Sequence, residues 1–239
     1  MAVHSWLDPA VLAFMVIPVV LVATFAWGVA AASRRLGEPG AAARRVVIVV
    51  AGAAAWMAVT WGAASSDVLR DWDATPPPFA LLIVGIVAVS LLVALGEYGR
   101  RLAVGLPLWT LVAVQGFRLP LELAMHAMYE RGVMPEQMSY SGRNFDVVTG
   151  VTALIVALLV RSGLAGTKLV AAWNLVGLGL LINIVTIAIL STPRVQYFGP
   201  DRLNVWVTYP PFIWLPAIMV TAALAGHLIV FRALRGARR

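Results

Sequence analysis

Residues 79–95 read FALLIVGIVAVSLLVAL, and no charged side chain interrupts them before Glu97. An α-helix needs about 20 mostly apolar residues to cross a hydrocarbon core about 30 Å thick. The stretch is therefore read as a transmembrane helix, and it is not alone. Seven stretches of this kind lie near 10–32, 46–64, 79–97, 104–129, 142–161, 168–190 and 211–231. Charges or Pro and Gly bound each one: Arg34-Arg35, Asp67, Pro76-Pro77-Pro78, Arg100-Arg101, Arg131-Gly132, Pro193 and Pro210-Pro211. The expected fold class is all-α, a polytopic seven-helix bundle in which residues 1–239 form a single transmembrane domain.

Composition agrees. Hydrophobic residues make up 61% of the 239 residues and charged ones 12%. A soluble domain carries about 25% charged residues and about 45–50% apolar ones. The excess apolar surface excludes a soluble enzyme, a nucleic-acid-binding domain and a disordered chain. Cys is absent, which excludes a disulfide framework, a thiolate nucleophile and an iron–sulfur site. All but one of the 18 basic residues are Arg, a usage that fits a GC-rich bacterial genome.

The charges sort by side. One set of loops carries Arg34, Arg35, Arg44, Arg45, Arg100, Arg101, Arg161, Lys168, Arg232, Arg235, Arg238 and Arg239 against Glu38 and Glu97, a balance of +10. The other carries Arg70, Arg131, Arg143, Arg194 and Arg202 against Asp8, Asp67, Asp71, Asp73, Glu130, Glu136, Asp146 and Asp201, a balance of −3. Basic residues collect on the cytoplasmic side of short loops. Seven spans with the N-terminus outside and the C-terminus inside are expected, in a bacterial inner membrane. The net charge of +7 is then a topology signal and not a nucleic-acid patch. Trp72, Tyr197, Phe198, Trp206 and Tyr209 fall in outer loops or at span edges, where amphipathic rings are stable. Residues 205–209 alternate apolar and polar and are expected along the interface. Val29 to Ser33 resembles a signal-cleavage site, but Arg34-Arg35 follows and no basic residue precedes, so an uncleaved anchor is expected.

The fourth span carries the chemistry. Gln115, Arg118, Glu122, His126 and Tyr129 recur at intervals of three and four, on one helical face. Arg118 lies about four turns above the inner end. An intramembrane charge costs at least roughly 2.5–3.5 kcal/mol and marks function by default. The stripe must face protein or a wet cavity. Arg118 and Glu122 are spaced to pair, as are Glu122 and His126. Pro120 removes a donor to the Gly116 carbonyl, so a kink and a free acceptor are expected there.

The fifth span is short. Only 14 residues separate Asp146 from Arg161, about 21 Å of helix. A full span must begin near Gly142, which draws Arg143, Asn144 and Asp146 to membrane depth beside span four. Gly150, Ala153 and Ala157 allow close packing on one side. The candidate site is thus Gln115, Arg118, Glu122, His126, Tyr129, Arg143, Asn144, Asp146 and Asn183. Thr60, Asp67, Thr186 and Tyr209 are further candidates, and Asn174 is read as structural.

The stretch from Phe117 to Thr152, with Gly142-Arg143-Asn144-Phe145-Asp146 followed by Thr149-Gly150-Val151-Thr152-Ala153, resembles a segment of uncharacterised small bacterial membrane proteins. It covers about a sixth of the chain and implies no activity. Known seven-span families fit poorly. A retinal protein needs a Lys within its last span, and Lys168 is the only Lys. Ceramidase-like hydrolases need paired His for zinc, and none of the three His residues here are four apart. The rhomboid Gly-x-Ser-Gly motif is absent. Sugar transporters of three-plus-one-plus-three layout use their fourth span as a linker, whereas here it is the most polar span. His227 lies about 24 Å of helix below the outer end of its span, too far from His126 to share a haem. A metal on His4, Asp8, Glu122 and His126 has no ligand spacing behind it, so no cofactor or metal is expected.

Three functions remain. The first is a binding or translocation protein with an outward-facing pocket on spans four and five for a small polar or anionic ligand, or a proton relay through Glu122 and His126. The second is a structural or accessory subunit whose polar cluster is a clasp. The third is an outer-leaflet enzyme acting on lipid.

Overall fold

The computed structural model describes residues 7–236. His4, Arg238 and Arg239 lie outside the described residues, so His4 and two arginines of the more basic loop set are not placed. Among the described residues every regular element is helical. Five helices are long and apolar enough to cross a membrane. These are α1 (Pro9–Arg35), α2 (Pro39–Ser65), α3 (Pro78–Leu95), α8 (Thr167–Leu190) and the run from Leu215 to Gly236, which ends in α9 (Thr221–Gly236). Each of α1, α2 and α3 opens on a Pro, whose fixed φ and missing N–H suit a first helical turn. Large apolar side chains such as Val47, Val84, Leu92, Leu158 and Leu175 stand exposed on the outside, as lipid-facing helices require.

The stretch expected as the fourth span is segmented. α4 (Glu97–Gly105) ends at Leu106, which is extended with φ −110° and ψ 147°. Pro107 forces this, because its ring disfavours helical geometry in the preceding residue. α5 (Leu108–Ala113), a 3₁₀ turn (Val114–Phe117) and α6 (Arg118–Glu130) then run end to end. The tightened turn lies just before Pro120, where the Gly116 carbonyl loses its usual donor.

The corner between α3 and α4 is tied to the last helix. Arg232 donates through Nη1 to the carbonyls of Ala94 and Gly96, at 2.6 and 3.0 Å, and so satisfies the open end of α3. A Cβ on Gly99 would lie 2.0 Å from the Ala94 carbonyl oxygen, so only glycine fits this turn. Glu97 and Glu38 bind the arginines there. Glu97 meets Arg100 and Arg101, and Glu38 meets Arg45 and Arg101.

α7 (Asp146–Arg161) is shorter than the expected 142–161. Residues 142–145 turn back instead, with the Gly142 and Asn144 amides donating to the Ser139 carbonyl. A Cβ on Gly142 would stand 2.3 Å from the Glu136 carbonyl oxygen, so the loop closes on itself and the helix starts late.

Of residues 205–209, expected along the interface, Trp206, Val207 and Thr208 are buried in the protein instead. Trp206 is 1% exposed and packs edge-on against Phe14 and Phe212. Beyond it, Leu215–Val220 is π-helical. The wider turn presents the Ala217 carbonyl sideways, and Trp56 of α2 donates its indole N–H to it at 2.9 Å.

Candidate functional site

Two helices meet at the site almost without side chains between them. A Cβ on Gly150 of α7 would lie 2.4 Å from the Leu119 nitrogen, and one on Gly116 would lie 2.6 Å from Leu154. Ala153 and Ala157 line the same buried side of α7. Small residues let the two backbones touch, and the start of α7 is thereby held against the middle of the α5–α6 run.

Arg118, Glu122, Asn144, Asp146 and Thr149 are all buried there. The guanidinium of Arg118 donates from Nη1 to Asp146 Oδ1 at 2.8 Å and, more weakly, to the Gly177 carbonyl at 3.4 Å. Thr149 donates to the same carboxylate at 3.2 Å. Asp146 occupies the first turn of α7, where the helix dipole favours a negative charge. Asn144 organises the rest. Its Oδ1 accepts from the Asp146 amide at 3.0 Å, the two-residue turn typical of this side chain. Its Nδ2 donates to Glu122 Oε2 at 2.7 Å and to the Met138 carbonyl at 3.0 Å.

The expected pairs within span four are therefore not the ones made. Arg118 bonds across to α7, and Glu122 bonds to Asn144. His126 turns away from Glu122 toward the loop that carries Ser139 and Tyr140. Its Nδ1 lies 2.8 Å from Ser139 Oγ, its ring stacks on Tyr140 with centroids 4.2 Å apart, and its Nε2 lies 3.6 Å from Glu130. Tyr129 sits beside it, ring centroids 5.8 Å apart. Arg143 is exposed and rests over the Phe198 ring at 5.3 Å. Asn183 donates only to the Arg143 carbonyl. Gln115 is buried and donates to the Ala223 carbonyl at 3.2 Å. Among the further candidates, Thr60 bonds within α2, Asp67 pairs with Arg70, and Tyr209 lies under the Arg70 guanidinium. Asp8 caps α1 and pairs with Arg131. Among the described residues no three metal-binding side chains come together.

One arm of the network lies outside the candidate list. His227 of α9 is fully buried, with Nδ1 2.8 Å from Asn174 Oδ1, while Asn174 Nδ2 donates to the His227 carbonyl at 3.0 Å. A Cβ on Gly177 would meet the His227 ring at 2.7 Å and Thr149 at 2.9 Å. Gly177, whose carbonyl Arg118 reaches, is thus the bridge. The spacing of Asn174 and Gly177, three apart and on one face, was the available signal.

The cluster opens on a cavity of about 240 Å³ between α3, α6, α8 and the Leu215–Gly236 run. Arg118, Glu122 and Asp146 form its polar end, and Phe79, Ile83, Leu181, Val185 and Met219 its walls. It is therefore walled mainly by other helices than the expected α6 and α7. Two of the guanidinium nitrogens of Arg118, Nε and Nη2, find no acceptor among the described residues. A buried donor without a partner is costly. One guanidinium also faces two carboxyl groups, and the trio is neutral when one carboxyl carries a proton.

Helices and site together define an all-helical membrane protein organised around a buried ion pair. The chain belongs to the family described as Domain of unknown function (DUF8737), which matches residues 76–235. No curated protein and no solved structure matches it.

Proposed function

We propose that this is a membrane-embedded binding protein of transporter or receptor type, in which Arg118 receives a ligand carrying a hydrogen-bond acceptor and Glu122 carries a proton. The single observation behind this reading is the free Nε–Nη2 edge of a fully buried arginine at the end of a cavity. Buried polar groups are normally satisfied, and exceptions call for a ligand, water or strain.

In this reading the chain crosses a bacterial inner membrane seven times, N-terminus outside. The five long helices are joined by the α5–α6 run, whose residues 108–130 measure about 34 Å, and by α7, about 24 Å long. The short α7 leaves its polar leader below the outer surface, and the cavity lies in the outer half. The proton passes between Glu122 and the ligand and not on to His126, which is turned elsewhere.

The competing reading is a helix clasp, and the three bonds of Asn144 favour it. Native mass spectrometry of the purified protein separates the two. Binding predicts a retained small molecule that Arg118→Gln and Glu122→Gln release. A clasp predicts no retained mass, with both variants losing abundance and thermal stability together.

A further inference from the structure

We infer that the cavity's ligand is a single-chain amphiphile with a carboxyl head, which enters sideways from the bilayer between α3 and α8. This deepens the reading above and rests on it. Three observations point there.

The first is the shape of the free donor pair. Nη1 of Arg118 is taken by Asp146 and the Gly177 carbonyl. Nε and Nη2, the nitrogens left over, form one side edge of the guanidinium. Two parallel N–H groups on one edge match the two oxygens of a carboxyl group. A hydroxyl head fills only one of them.

The second is the wall. Beyond the three charged residues the lining is almost wholly apolar, with Phe79, Ile86, Leu181 and Met219 among it. A small hydrophilic anion would leave this wall unmatched, whereas an alkyl chain covers it. The volume of about 240 Å³ exceeds the roughly 150 Å³ of an apolar cavity that takes benzene. It suits one chain segment and is too small for the body of a two-chain lipid.

The third is the rim. Val87 of α3 and Ile182 and Ile189 of α8 line the cavity and are also 42, 58 and 41% exposed. Both helices pack on the α9 run, and the gap between them faces the apolar exterior. A ligand arriving from the hydrocarbon phase comes with its chain already desolvated. Its head enters as the neutral acid and passes its proton to the Glu122 carboxylate, so that both oxygens accept from the free edge of Arg118 and the site gains no net charge.

The test uses the full chain in nanodiscs of neutral lipid and a long-chain fatty acid bearing a mid-chain diazirine. Photolabelling followed by peptide mapping is expected to mark α3 and α8. Excess unlabelled fatty acid should compete, and the alcohol of the same chain should not. Arg118→Gln should cut labelling about tenfold or more, the size of a lost charged hydrogen bond. Val185→Trp, which fills the cavity and leaves the ion pair intact, should block labelling with the melting temperature retained. Equal labelling by the alcohol probe, equal labelling in Val185→Trp, or competition by a two-chain anionic lipid alone would overturn the inference. If the purified protein retains a polar molecule without an alkyl chain, released by Arg118→Gln, the binding function stands and the amphiphile does not.

Discussion

Arg118 bonds to Asp146, 28 residues further along the chain and on another helix, and not to Glu122 one turn along its own. The pair is buried at both ends, with side chains 1 and 6% exposed. Removing one partner of such a pair strands a charge and costs about 3–5 kcal/mol. Asp146→Ala is expected to destabilise by that amount in a detergent unfolding titration. The double variant Arg118→Leu/Asp146→Leu should cost clearly less than the sum of the two single changes. Additive losses would show that the two groups are not coupled.

Asn144 holds Glu122, the Met138 carbonyl and the start of α7 with one side chain. Asn144→Ala leaves those groups unmatched, at about 1–3 kcal/mol for each buried polar group left unsatisfied. Hydrogen exchange should rise first at residues 144–149, before the rest of α7. Uniform protection across α7 in the variant would contradict the assigned role.

Gly150 should be intolerant of any side chain. Its Cβ would fall 2.4 Å from the backbone nitrogen of Leu119, and a backbone atom cannot move aside as a side-chain tip can. Gly150→Ala is expected to cost at least about 1–3 kcal/mol, the usual range for overpacking. Gly179→Ala, on α8 with nothing within 4 Å, is the control and should leave the melting temperature nearly unchanged.

The corner between α3 and α4 should respond to acid. Hydrogen bonding and charge from Arg100, with Arg101 adding to it, hold the Glu97 carboxyl down at about 2, from its ordinary 4.5. The arginines Arg45 and Arg101 likewise hold Glu38 below its usual range. A carboxylate depressed in the folded state contributes stability above its unfolded value and loses it as pH falls through the folded one. Melting temperature should therefore be flat from neutral to about pH 5 and then fall toward pH 2, with Glu97→Gln flattening part of the fall. An unchanged slope in Glu97→Gln would remove Glu97 from the account.

Much of this was readable from residues alone. The five longest helices follow from apolar runs between Pro, Gly and Arg, because lipid demands long uncharged helices. The one-faced stripe from Gln115 to Tyr129 followed from spacing, and Asn144 and Asp146 are buried beside it, although the helix expected from Gly142 begins only at Asp146. Partner choice was not legible. Spacing of four says that Arg118 can reach Glu122, but the close approach at Gly150 brings a carboxylate at a helix start within reach, and that contact wins. His227 was set aside as a haem partner because counting turns placed it too far from His126, whereas the structure puts its ring against Gly177, whose carbonyl Arg118 reaches. The segmentation around Pro107 was hidden too, since α4 and α5 read as ordinary helix until the residue before the proline is considered.

A ligand on the unpartnered Nε and Nη2 of Arg118 would be visible in a high-resolution density map of the protein in nanodiscs formed from its own membrane. Non-protein density is expected in the α3–α8 cavity, with an acceptor atom about 3 Å from Nε or Nη2. A map in which protein groups satisfy both nitrogens, or in which the guanidinium turns out of the cavity, would contradict it.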